Sequence, residues 1–133
     1  MSDYSINLIG CKDDETATIT TEDRGDLCHI TFRYWDRVVE SVGTDYFEAF
    51  CQIRLHLEDV RLIPVCYGAS LNVFPSGMGR DMGPGLSAYR CTLGQQAMSV
   101  DLVHIFDSGD DVIPASVAKQ RQYHDEWIRS LRR

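Results

Sequence analysis

An α+β fold with a largely antiparallel sheet, two main helices and an ordered glycine-rich loop is what this sequence predicts. Three observations carry that reading. Short runs of β-branched and aromatic residues, divided by turn chemistry, occupy residues 17–42. A helix with a cap signal and apolar residues at helical spacing follows at 45–59. Further short strand-like runs then lead to a second amphipathic stretch at the C-terminal end. The order β-β-β-α-β-loop-β-(β)-α favours segregated α+β over alternating α/β.

Each element has its own reason. Residues 17–21 are short and β-branched, which suits a strand. Glu22–Asp26 contains Gly25 and supplies a turn. In 27–35, Cys28, Ile30, Phe32 and Tyr34 alternate with Leu27, His29, Thr31, Arg33 and Trp35; the first set is the more apolar and is assigned to the core. Asp36-Arg37 reads as a tight connection to a strand at 38–42. Asp45 with Glu48 three residues on fits a capping box, with Thr44 as the alternative cap. Tyr46, Phe50, Ile53, Leu57 and Val60, with Phe47 beside them, form the apolar stripe of that helix. Residues 62–67 read as a buried strand whose Pro64 suits an edge. Strands are expected at 87–93 and, as strand or short helix, at 100–106. The last helix, 116–131, has Ser116 to cap it and Val117, Tyr123, Trp127, Ile128 and Leu131 for apolar contacts, and its terminal arginines complement the helix dipole.

The chain of 133 residues fits one domain, 1–133, long enough for a single core. An apolar fraction of 44% and a charged fraction of 25% are those of a globular protein. No apolar run is long enough to span a membrane, and the first residues carry no basic, apolar leader. Cytoplasmic residence is the expectation. The five cysteines (Cys11, Cys28, Cys51, Cys66 and Cys91) form no C-x-x-C pair, which points to buried thiols rather than disulfides or a zinc knuckle. Cys28-His29 and Cys91 with His104 would be metal ligands only if folding joined them. No metal and no cofactor is expected.

A net charge of −7 disfavours duplex nucleic acid and anionic membranes and favours a basic partner. Acids cluster at Asp3, Asp13, Asp14, Glu15, Glu22, Asp23 and Asp26, and again at Asp101, Asp107, Asp110 and Asp111. Bases gather at the end: Lys119, Arg121, Arg129, Arg132 and Arg133.

Residues 67–90 hold five of the ten glycines, interleaved with Leu71, Val73, Phe74, Met78, Met82 and Leu86, which reads as an ordered loop with apolar anchors. Ser76-Gly77-Met78-Gly79-Arg80 could cradle a phosphate, but neither a P-loop nor a G-x-G-x-x-G pattern is present. Cys66, Cys91, Ser76 and Ser87, with His29, His56, His104 and His124 as bases, form no recognisable nucleophile setting. No catalytic residue is therefore assigned. Asp107, Asp110 and Asp111 lack EF-hand spacing and read best as a solvated acidic loop. Among the aromatics Tyr34, Trp35, Tyr89, Tyr123 and Trp127, Trp35 falls on the more polar strand face.

The run Val65–Arg90, continuing to 103–107, resembles a group of small bacterial proteins and brings no catalytic residue with it. In size and charge the chain is similar to immunity proteins of bacterial polymorphic-toxin and contact-dependent systems. That resemblance implies a non-enzymatic protein that neutralises a cognate, basic protein toxin. The expected partner-binding residues are Trp35, Arg80, Asp81, Asp107, Asp110 and Asp111. The alternative is a small-ligand or nucleotide-binding domain, possibly an enzyme, that uses the glycine-rich loop; a homo-oligomer packed through that loop is the third reading.

Overall fold

A computed structural model describes residues 1–10, 15–75 and 85–132. Four antiparallel strands open the chain: β1 (Ser2–Ile9), β2 (Glu15–Arg24), β3 (Leu27–Tyr34) and β4 (Arg37–Gly43). Helix α1 (Tyr46–Asp59) follows, and β5 (Ile63–Val65) returns to pair antiparallel with β1, which gives a sheet of order β4-β3-β2-β1-β5. A second sheet of order β6-β7-β8 joins Val73–Phe74, Ser87–Arg90 and Leu102–His104. One-turn 3-10 helices precede β6 and β8, at Tyr67–Ala69 and Ser99–Asp101. Helix α2 (Val117–Ser130) ends the chain. The α+β class and its antiparallel pairing are as the sequence predicts.

Several boundaries differ from the sequence reading. β1 was not among the expected strands, although Tyr4, Ile6 and Leu8 alternate through it and Ile6 and Leu8 are buried. The expected strand at 62–67 turns into a 3-10 helix after Val65, and that at 87–93 stops at Arg90. Pro64 does lie on a sheet edge, opposite Leu8. Val60 caps the end of α1 and is exposed, so it leaves the apolar stripe.

Cap chemistry sets both helix starts. The Asp45 carboxylate accepts the Glu48 N–H at 2.8 Å, while the Thr44 hydroxyl reaches the Glu48 carboxylate. Ser116 accepts the Lys119 N–H at 3.2 Å. The core lies between the inner face of the five-stranded sheet and α1. Ile6, Leu8, Ala17, Ile19, Ile30 and Phe32 meet Phe47, Phe50, Ile53 and Leu57 there, all buried. Edge strand β4 is bonded to the same helix near its C-terminal end: the Ser41 hydroxyl donates to Ala49 O at 2.8 Å, and Gln52 Nε2 donates to Val42 O at 3.1 Å.

A buried cation links α1 to the rest. Arg54 is only 1% exposed. Its Nη1 donates to Gly68 O at 3.0 Å and to Gln120 Oε1 at 2.6 Å, and its Nη2 donates to Ala115 O at 3.0 Å. Gln120 Nε2, from α2, donates onward to Gly68 O, Ser70 O and Val73 O. Burial pushes the guanidinium below its ordinary value, and carbonyl dipoles replace the water it gave up. Gly68 packs tightly at the hub: a Cβ there would lie 3.0 Å from both the side chain and the carbonyl oxygen of Ile105, so a larger residue needs those neighbours to shift.

Among the described residues no helix is long and apolar enough to cross a membrane. Gln120→Ala removes one of three acceptors of Arg54 and the donor to three carbonyls. It is expected to destabilise the fold by about 3 kcal/mol, since buried polar groups left unpaired cost that order. Urea denaturation checks this; an unchanged midpoint would show that the network contributes little.

Candidate functional site

Two tight hairpins make a natural comparison. The β2–β3 pair closes through Gly25-Asp26, since Arg24 faces Leu27, and Gly25 takes φ +64° at no steric cost. The β3–β4 pair closes through Trp35-Asp36, since Tyr34 faces Arg37, and here the left-handed position, φ +51°, is held by Trp35. A bulky residue there costs about 1 kcal/mol through its Cβ. The sequence reading placed Trp35 in the strand and put the connection at Asp36-Arg37. The side-chain alternation instead ends at Tyr34, and Trp35 begins the turn.

Trp35 is also displayed. It is 55% exposed and touches Tyr34 by one ring contact, at 5.6 Å and 51°. Its backbone N–H donates to the Glu15 carboxylate at 3.4 Å. Asp36, Arg37 and Val38 beside it are exposed. Below it, Tyr34 is fully buried and its hydroxyl has no partner among the described residues. The tip thus combines a backbone strain, a solvent-facing indole and a fixed base.

The acidic loop after β8 is built differently. Tyr67 N–H donates to Asp107 O at 2.8 Å, Leu71 N–H donates to Ile113 O at 2.8 Å, and Ile113 N–H donates to Ser70 Oγ at 2.9 Å. Asp111 is a clip. Its carboxylate accepts the Tyr67 hydroxyl at 2.7 Å and Arg90 Nη1 at 2.9 Å, while Arg90 Nη2 donates to Val100 O. The Tyr67 hydroxyl first, and Arg90 next, hold the Asp111 carboxyl below its ordinary value. The same bond raises the Tyr67 phenol. Asp107 and Asp110 are exposed, and neither carboxylate has a hydrogen-bond or ion-pair partner among the described residues.

Trp35 and this loop sit at opposite ends of β1. Glu15, beside Trp35, pairs with Leu8, whereas the loop meets β1 through Phe106, whose ring lies 5.0 Å from Tyr4. Arg80 and Asp81, and with them the phosphate-cradle reading of the glycine-rich loop, lie outside the described residues.

The remaining candidates are structural in setting. Cys28, Cys51, Cys66 and Cys91 are buried; burial pushes the Cys66 thiol up to about 12 and the Cys91 thiol up to about 11. Cys28 and His29 project to opposite sheet faces, and His29 Nε2 lies 3.2 Å from the Glu40 carboxylate. His104 Nδ1 accepts the Phe106 N–H at 3.1 Å, and its ring packs on Tyr4 and Phe106. His124 stacks on Phe74 at 3.9 Å. Among the described residues no group of three or more His, Cys, Asp or Glu side chains is placed to hold a metal.

The molecule these elements define is an α+β protein with a strained, exposed aromatic tip and a clipped acidic loop. Neither a family model nor a curated protein matches the chain.

Burial holds both His104 and His124 below the ordinary histidine value. A base with a lowered folded pKa leaves the unfolded chain binding more protons, so its stabilisation is complete above about pH 6.5 and is lost as pH falls through the folded value. Unfolding free energy measured at pH 7.5 and at pH 5 is expected to fall. In the double variant His104→Gln, His124→Gln that fall should shrink; an equal fall would assign it to other groups.

Proposed function

We propose that this chain is a non-enzymatic binding protein that captures a basic protein partner, in the manner of an immunity protein neutralising its toxin. The observation that supports it is Trp35. A turn with glycine, like its neighbour at Gly25, would relieve the backbone, and a buried indole would add apolar burial. The chain has neither, and strain of this kind gathers where a side chain must be presented. Tryptophan is also the residue most enriched in interface hot spots.

Charge supplies the partner's chemistry. Glu15 and Asp36 lie beside the indole, while Asp107 and Asp110, at the other end of β1 on a loop pinned by Asp111, add to the long-range negative field and not to the docking face. A net charge of −7 raises the encounter rate with a cation, so association should slow with added salt.

Trp35→Gly separates binding from folding. It is expected to raise stability by about 1 kcal/mol by relieving the left-handed strain, and to abolish retention of the partner. The check is affinity capture from a lysate of the source organism on immobilised wild type and variant, beside thermal melts of both. One stoichiometric basic protein held by the wild type alone supports the reading. Equal recovery on both, or none on either, overturns it.

A further inference from the structure

Strand β4 is the one long sheet edge among the described residues. The other edge strands, β5, β6 and β8, run three, two and three residues, and β5 carries Pro64. Short edges and proline are ordinary guards against pairing with another chain. β4 has neither. It runs seven residues without a proline, and its ladder with β3 is unbroken from Tyr34 opposite Arg37 to Cys28 opposite Gly43, so no bulge turns it away.

The two-residue turn at Trp35-Asp36 decides which backbone groups face outward. Tyr34 and Arg37 close that hairpin as a hydrogen-bonded pair, so every second residue from Arg37 bonds to β3. The residues between, Val38, Glu40 and Val42, aim their N–H and C=O groups away from the sheet. Gln52 takes Val42 O from that side; the outward groups of Val38 and Glu40 have no partner among the described residues. These three residues also share one sheet face. Val38 is 58% and Val42 42% exposed, with the Glu40 side chain, 62% exposed, between them. One Glu40 oxygen lies 3.2 Å from His29 Nε2, and the other has no partner among the described residues. The nearby cations point elsewhere: Arg33, opposite Val38, donates to Thr20 Oγ1 on β2, and Arg37 projects to the other face.

We infer that β4 receives an extended segment of the partner as a sixth strand, with a lysine or arginine opposite Glu40 and apolar side chains opposite Val38 and Val42. The inference rests on the reading that a basic protein is met at Trp35, whose turn leads directly into β4, and it names the segment that docks. Main-chain bonds to Val38 and Glu40 supply affinity, and the three side chains supply choice. Charge selects the basic segment over a second copy of this chain. A two-fold pairing of β4 strands is antiparallel. Centred on Glu40 it sets Glu40 against itself, centred on Val38 it sets Glu40 against Asp36, and centred on Val39 it leaves the two Glu40 side chains diagonal. Like charges directly opposite destabilise a strand pair, so the carboxylate that guards the edge against its own copy attracts a cationic strand.

The probe is a capped peptide, Val-Thr-Lys-Thr-Val, whose valines and lysine share one face, beside the same peptide with glutamate for lysine. In nitrogen–proton correlation spectra of the full chain, the Val38 and Glu40 amides are expected to shift along one saturable curve and to exchange with deuterium more slowly when bound. The glutamate peptide should bind about fivefold more weakly, and Glu40→Lys should reverse that preference. Val38→Pro removes an outward N–H where an edge strand tolerates proline, and should weaken the lysine peptide about fivefold; the spectra report whether each variant is folded. Still Val38 and Glu40 amides, equal binding of both peptides, undiminished binding in folded Val38→Pro, or self-association of the free chain through β4 overturns the inference. Because the probe is synthetic, its failure beside intact Trp35-dependent capture strikes the docking mode alone, whereas failure of that capture strikes the earlier reading.

Discussion

A buried guanidinium fixes the register between the two parts of this molecule, which also share one apolar core. Arg54 stands on the helix that covers the five-stranded sheet, yet each of its backbone and glutamine acceptors belongs to the other part: Gly68, Ala115 and Gln120. A cation withdrawn from water must find dipoles or lose several kcal/mol. Three acceptors in fixed directions take up its two terminal nitrogens, while Nε has no partner among the described residues, and those directions tie the 3-10 turn at Tyr67–Ala69 and the start of α2 to α1. Gln120 then repeats the constraint from the opposite side by donating to three carbonyls of one loop. Apolar packing alone could slide; a fork of hydrogen bonds has one register. The placement of the first turn of α2 follows from that register.

The same logic explains which surfaces are free. Ser41 and Gln52 bond the end of β4 to α1, and Asp111 is engaged by Tyr67 and Arg90. Among the described residues, the exposed groups include an indole on a strained turn and, at Asp107 and Asp110, carboxylates without a hydrogen-bond or ion-pair partner. A rigid scaffold that spends its polar groups on internal order leaves the few unspent groups as its means of recognition.

Much of the scaffold was legible in the sequence because its signals are local. Asp45 and Ser116 announce their helices through cap chemistry, and the alternation from Cys28 to Tyr34 assigns the core face correctly. β1 escaped because Ser2, Asp3, Ser5 and Asn7 make it look polar, although every second residue from Tyr4 is apolar. Arg54 was illegible for a different reason. In sequence it is one more charged residue on an amphipathic helix, and its acceptors lie as far away as Gln120. The candidate site divides the same way. Trp35 could be singled out, but its strain depends on the turn starting one residue early. Asp107, Asp110 and Asp111 are indistinguishable in sequence, and only Tyr67 and Arg90, brought in from elsewhere, set Asp111 apart.

The central claim is that Arg54 and Gln120 fasten α2 and the second sheet onto the first. Native-state hydrogen exchange on wild type and Arg54→Met tests it most directly, since methionine keeps an apolar stem of similar reach and removes the fork. The expected result is a selective loss of amide protection in α2 and in β6–β8, with β1–β4 retaining theirs. Uniform weakening across both sheets, or unchanged protection in α2, would contradict the claim.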